Sequence, residues 1–153
     1  ELVFFLGQRS LHRAFTLLRT RAMLCDWFSG WRQKNVPPHD LETYRRELAQ
    51  CRPRPTGWLG IVTSLGFVVN GQTRKAIEHL DAQGEILTNR SASARELSVL
   101  LAWSSALRES LGQGGGRDWA RAADLLRAAG ASFPPEMQIL DRSRTSDGTG
   151  SSS

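Results

Sequence analysis

Apolar residues recur along this chain at helical spacing, and in one place they hardly stop. Between Trp58 and Val69 only glycine, threonine and serine interrupt an apolar run. The run is too short to span a membrane, which takes roughly 20 residues. It reads as a central element buried on all sides. Its β-branched residues Ile61, Val62, Val68 and Val69 lean toward strand. Every other periodic segment is helical, however, so Thr56–Asn70 is predicted to be the buried central helix of an all-α domain. Pro53 and Pro55 mark its entry and Asn70-Gly71 its exit.

The rest of the chain supports that reading. Glu1 to Leu6 forms an apolar lead of about one helical turn. From Leu11 to Phe28 the spacing predicts a helix with Leu11, Ala14, Phe15, Leu18, Ala22, Trp27 and Phe28 on its apolar stripe and Leu17, Met23 and Leu24 widening it. Gly30 ends it, and Trp31 to Pro38 is a linker. Asp40 caps a helix over Leu41–Gln50 with Leu41, Tyr44 and Leu48 inward. Arg52-Pro53-Arg54-Pro55 is an extended basic connection, because a residue before proline avoids the α region. Thr73 opens a short helix that stops near Gly84. Ser93-x-x-Glu96 is a capping box for a helix over Ala94–Leu111, with Trp103 near the edge of its stripe. Gly112 to Gly116 is a flexible linker. Asp118 to Ala129 is a helix that buries Trp119, Ala122, Leu125 and Leu126, with Gly130 as its stop. A last short helix runs from Glu136 to about Arg142. Residues 143–153, rich in Ser, Thr, Gly and Asp, form a disordered tail. The sum is an all-α fold of seven to nine short helices over residues 1–142. Two packed four-helix bundles sharing one core, divided near residues 70–90, account for the segment lengths.

Charge changes the picture. The 153 residues carry a formal charge of +5, and the excess lies wholly in the first third. Residues 1–54 hold ten basic groups against five acidic ones, and the remainder holds ten of each. Eighteen of the twenty basic residues are arginine, which favours bidentate contact with phosphate or carboxylate. Cys25 and Cys51 are too far apart for a redox or metal motif and read as inert buried thiols. The start lacks the basic segment of a signal peptide. A cytosolic or nuclear setting follows.

Catalytic signals are absent. His12, His39 and His79 are isolated in sequence, no nucleophile or phosphate-loop motif occurs, and no four-ligand metal spacing exists. The chain is therefore expected not to be an enzyme and to need no cofactor or metal. What remains is a basic face. Arg13, Arg19, Arg21, Arg45, Arg46, Arg52 and Arg54, with Arg74 and Lys75 further on, are the candidates for contact with lipid head groups or RNA phosphates. For Arg13 and Arg21 singly, solubility is at least as good an explanation; Arg45, Arg46, Arg52 and Arg54, four within ten residues around a proline-rich turn, are the stronger group. Trp58, Phe67 and Leu101 are read as core.

The order of motifs resembles the N-terminal domain of orthomyxovirus matrix proteins, in a distant, thogotovirus-like form rather than that of influenza A. The segment DLETYRRELAQCRPRPTGWLGIVTSLGFVVN is similar to that family's acidic-start helix, proline-containing linker and buried Gly-Ile-Leu-Gly type helix. LCDWFSG fits its second helix and exit, ASARELSVLLAWSSALRESLG its small-residue-rich helix, and EMQILDRSRTS the polar end of the domain. The likeness covers roughly residues 15–145. It implies a viral structural protein that self-associates into a layer under the envelope. Its partners would be its own copies, the ribonucleoprotein and anionic membrane, which it would touch without spanning. Its place would be the virion, the host cytoplasm and the inner face of the plasma membrane, with the nucleus a further site. Two departures qualify this. AIEHLDAQGE is acidic where the family has its best-known basic cluster. No Cys follows Cys51 and no His follows His79, so the family's zinc-like cluster has no counterpart. The alternatives are a helical adaptor for one protein partner and a non-specific nucleic-acid-binding domain.

Overall fold

A computed structural model describes residues 2–35, 39–90 and 93–142. Among them the fold is all-α, with seven helices and no strand. They are α1 (Leu2–Arg32), α2 (Leu41–Gln50), α3 (Thr56–Val69), α4 (Thr73–Asn89), α5 (Ala94–Ser110), α6 (Gly116–Ala128) and α7 over residues 135–142. Glu1, most of the Trp31–Pro38 linker's proline end and the tail over residues 143–153 fall outside the described residues.

Several helix ends follow from local chemistry. At the start of α2, Asp40 accepts from the Thr43 amide at 3.2 Å and from the Thr43 hydroxyl at 2.6 Å, satisfying one of the donors that a helix start leaves unpaired. At the end of α3, Gly71 turns the chain at φ +75° and the Gln72 amide reaches back to the Phe67 carbonyl at 2.8 Å. At the end of α6, Gly130 at φ +68° does the same, and the Ala131 amide bonds to Leu126. This is the left-handed closure that glycine permits.

Glycine misleads elsewhere. The expected stops at Gly30 and Gly84 are absent: α1 passes through Gly7 and Gly30, and α4 continues to Asn89. Gly84 is buried, with the nearest atom to a would-be Cβ being Leu100 Cδ2 at 3.5 Å. It serves close packing of α4 on α5. The expected linker over 112–116 is pinned at one residue. Gly115 is buried, its carbonyl accepts from Ser105 Oγ at 2.7 Å, and a Cβ there would lie 2.3 Å from the Ser105 carbonyl oxygen. That close approach holds α6 against α5.

One hydrophobic core extends from Met23 to Leu140. The helix at its centre is α5, where every residue from Leu97 to Leu107 is buried. α3 touches α1, α2, α4 and α5, but it is not buried on all sides as its sequence predicts. Leu59, Thr63, Gly66 and Phe67 are only half-buried and Val69 is exposed. Trp103, expected near an edge, is fully buried. Trp27, Phe28 and Trp31 of α1 close on its ring with centroids at 5.6, 4.7 and 4.9 Å. Its Nε1 donates to Ser64 Oγ on α3 at 2.9 Å. Edge-on aromatic pairs of this kind add about 0.5–1.5 kcal/mol beyond burial.

The capping box at Ser93 is half formed. Ser93 Oγ accepts from the Glu96 amide at 3.5 Å, but the Glu96 carboxylate turns outward from its own helix. Its Oε1 accepts from the amides of Gly57 and Trp58 at 2.6 and 3.3 Å. Glu96 thus caps α3, where Pro55 offers no side-chain oxygen. Gly57 makes room for it, since a Cβ there would meet Glu96 Cγ at 2.3 Å.

The apolar stripe of α1 is also not the expected one. Its core side consists of Thr16, Thr20, Met23, Leu24, Trp27 and Phe28, while Leu11, Phe15 and Leu18 point away from the body, 60, 58 and 64% exposed. Thr20 fits the core because its hydroxyl bonds to the Thr16 carbonyl at 2.7 Å.

Candidate anion-binding groove

The connection between α2 and α3 and the adjoining face of α4 enclose an open groove of about 660 Å³. Its floor is the open side of α3, at Thr56, Leu59, Gly60 and Thr63. The α4 wall presents His79, Gln83, Ile86 and Arg90, spaced four, three and four residues apart and so on one helix face. Gly60 lets the α4 wall approach the floor, because a Cβ there would press on Gln83 Cγ at 3.0 Å. Four arginines border the groove, Arg45, Arg52, Arg54 and Arg90, and among the described residues no carboxylate lines it.

The arginines are held to different degrees. Arg52 donates Nη1 to the carbonyls of Ala49 and Cys51 at 2.7 and 2.8 Å, which closes the C-terminus of α2 and suits the negative end of that helix. Arg45 grips Glu42 through Nε and Nη2. That bond holds the Glu42 carboxyl below its usual range and raises the guanidinium further. Arg54 and Arg90 make no side-chain bond among the described residues and are exposed. The N-terminus of α3 adds no attraction for anions, since Glu96 already occupies its first amides. His79 is half-buried beside the Phe67 ring, 6.1 Å between centroids, and burial pushes its imidazole below the ordinary value. It is neutral near neutral pH, so the positive charge of the groove comes from arginine alone and does not vary with pH in that range.

Of the nine basic residues singled out in the sequence, the groove gathers three: Arg45, Arg52 and Arg54. Arg46 is exposed on α2 and does not line it, and Arg74 and Lys75 are exposed at the opposite end of α4. The three on α1 face internal partners. Arg13 donates Nε to the Pro53 carbonyl at 3.0 Å. Arg19 pairs with Glu47 at 3.1 Å beside the Tyr44 ring. Arg21 grips the buried Glu136 carboxylate at 2.7 and 3.3 Å, with its guanidinium 5.5 Å from the Trp58 ring centre. The single basic surface expected of the first third is therefore divided. Arg90 was missed because a helix stopped at Gly84 leaves it in a loop; continuing the four-three-four spacing from His79 would have found it.

Other candidates resolve into structure. His39 Nε2 lies 2.8 Å from Asp26 Oδ2, joining the entry of α2 to α1. Phe67, expected in the core, is half-buried and lines the far end of α3's open side. Burial pushes the Cys25 thiol up to about 11, so it stays protonated. Among the described residues no group of three His, Cys, Asp or Glu side chains is placed to hold a metal ion, and no helix is long and apolar enough to cross a membrane. Set against protein families, curated proteins and solved structures, the chain matches none.

Proposed function

We propose that this chain is a structural protein of the orthomyxovirus matrix type, which self-associates and attaches peripherally to phosphate-bearing surfaces, anionic lipid foremost and ribonucleoprotein second. The two-bundle arrangement and the place beneath a viral envelope belong to the same proposal. The observation that carries it is the groove bordered by Arg45, Arg52, Arg54 and Arg90, with no carboxylate in its lining among the described residues. Guanidinium forks match phosphate oxygens in pairs. Each basic residue near an anionic membrane contributes about 1 kcal/mol. A single copy then binds weakly, and a layer of copies multiplies the contact into firm attachment.

Flotation with vesicles tests this. Binding is expected to vesicles containing phosphatidylserine and not to neutral ones, to weaken with added salt, and to be lost in Arg54→Glu/Arg90→Glu. Equal behaviour toward neutral and anionic vesicles overturns the reading. A second reading, an adaptor for an acidic helical segment, is favoured by one feature. The groove continues along α3 into a smaller cavity of about 260 Å³ that shares Arg45 and Thr63 and is lined by Leu41, Val62 and Phe67 together with Glu42, Asn70 and Gln72. A trough with an apolar stretch and a basic end suits an amphipathic helix. Failure of vesicle binding with retention of an acidic helical peptide would select it.

A further inference from the structure

The groove has a charged end and a neutral middle. α3 and α4 run antiparallel from the turn at Gly71, with Gly60 against Gln83, so the start of α3 lies beside the end of α4. Arg54, just before α3, and Arg90, just after α4, therefore border the same end of the groove. Both are exposed, and neither ties its guanidinium to a side-chain bond among the described residues. Further along α4 come Gln83 and His79, about 10 and 16 Å from Arg90 by helix rise. Their side chains make no hydrogen bond among the described residues, and His79 is neutral near neutral pH. An amide and a neutral imidazole each offer both a donor and an acceptor. On the floor beside them the Thr63 hydroxyl donates to the Leu59 carbonyl at 2.8 Å and keeps its lone pairs free to accept.

That pattern selects a ligand. Guanidinium forks at one end suit phosphate groups, which they grip through pairs of parallel bonds. Uncharged donors and acceptors in the middle suit hydroxyl groups. An ammonium is refused, because four arginines border the groove and no carboxylate lines it among the described residues. The serine and ethanolamine head groups both carry an ammonium. Phosphatidylserine still attracts the arginine face through its net charge, without entering the groove. A small polyol bearing several phosphates presents phosphates and hydroxyls only. A nucleic-acid strand shares that chemistry, but its bases call for exposed aromatic faces to stack on. No Phe, Tyr or Trp lines the groove among the described residues, and the His79 ring packs beside Phe67. The volume of about 660 Å³ is that of a small-molecule site, for which roughly 300–1,000 Å³ is usual.

We propose that the groove binds a polyphosphorylated polyol of the inositol phosphate class, with its phosphates on Arg54 and Arg90 and its ring hydroxyls toward Gln83 and His79. This rests on the reading of the groove as a phosphate site and narrows it to one head-group class, met either on a phosphoinositide lipid or as the free inositol phosphate. Isothermal titration of the whole chain with inositol trisphosphate tests it. Saturable binding of one ligand per chain is expected. Arg54→Ala/Arg90→Ala should weaken it about a hundredfold, roughly tenfold per guanidinium. Arg74→Ala/Lys75→Ala removes the same charge from the far end of α4 and should leave it unchanged. Flotation with vesicles holding phosphatidylinositol bisphosphate or phosphatidylserine at equal surface charge separates the two sources. Preference for the inositol lipid assigns the membrane form, and indifference with binding of the free trisphosphate assigns the soluble one. No saturable binding overturns the proposal, as does equal weakening in Arg74→Ala/Lys75→Ala. So does a short single-stranded oligonucleotide of equal charge that binds more tightly through Arg54 and Arg90, which assigns the groove to nucleic acid. Retention on phosphatidylserine vesicles without binding of the trisphosphate would sink this inference alone. Binding of the trisphosphate without retention on any anionic vesicle would sink the membrane reading alone.

Discussion

α5 and α1 are both apolar on more than one side, and they end differently. In α5 the residues from Leu97 to Leu107 are all buried, because α3 and α4 cover one side, α6 another, and the rings of α1 fill a third. In α1 only one of two opposite apolar stripes is covered by the body. A helix without a polar face asks for neighbours all round. α5 finds them within its own chain, and among the described residues α1 does not. Low amphipathicity in a sequence thus reports the number of partners a helix needs, and not whether the same chain provides them.

The sharpest way to break the comparison is to truncate one aromatic in each helix's apolar surface. Trp103→Ala removes the ring on which Trp27, Phe28 and Trp31 meet and leaves Ser64 without its indole donor. It should cost about 3–5 kcal/mol in a denaturant titration. Phe15→Ala on the outer stripe should stay within about 0.5 kcal/mol at concentrations where the chain is monomeric. Comparable losses at both sites would mean that the outer stripe is covered within one chain.

A smaller effect tests how α5 serves a neighbour. Glu96→Ala should leave α5 itself nearly intact and uncap α3, at about 1–2 kcal/mol. Glu96→Gln, which keeps an accepting oxygen, should recover part of that in the same titration. An Ala variant as stable as the wild type would show that water replaces the carboxylate at Gly57 and Trp58.

The smallest expected effect is one of pH at His79. Its imidazole is held below the ordinary 6.5 by burial. The unfolded chain therefore binds the proton first, and stability is full above pH 6.5 and falls as pH drops through that value toward the folded one. His79→Gln should flatten that part of the stability profile, measured as melting temperature against pH. An unchanged slope would place the acid sensitivity elsewhere.

Where the sequence could be read, local chemistry sufficed. The α2 boundaries follow from the Asp40 cap and the inward Leu48, and the Gly71 and Gly130 turns from residues that alone adopt those backbone angles without strain. It could not be read where packing overrode local preference. Gly84 looks like a stop and is a contact point for Leu100; hence the lost end of α4 and the lost Arg90. Gly115 looks loose and is pinned by Ser105. Trp103 has no edge to sit near, because α5 has no exposed side along that stretch. On α1 two stripes of similar character compete, and only the surrounding rings decide which one faces the core. The candidate site was half legible. The group of Arg45, Arg46, Arg52 and Arg54 stood out by proximity in sequence, and three of the four line the groove while Arg46 does not; the carboxylates that divert Arg19 and Arg21 lie far along the chain, at Glu47 and Glu136.

The cap on α3 also has a place in time. Glu96 lies 39 residues after Gly57, so during synthesis the groove's floor helix emerges with its first amides bare. They stay bare until the chain through the first turn of α5 has left the ribosome. Domains made from the N-terminus fold as units as they are completed. The capped form of the floor helix is accordingly available only after both walls of the groove have been translated.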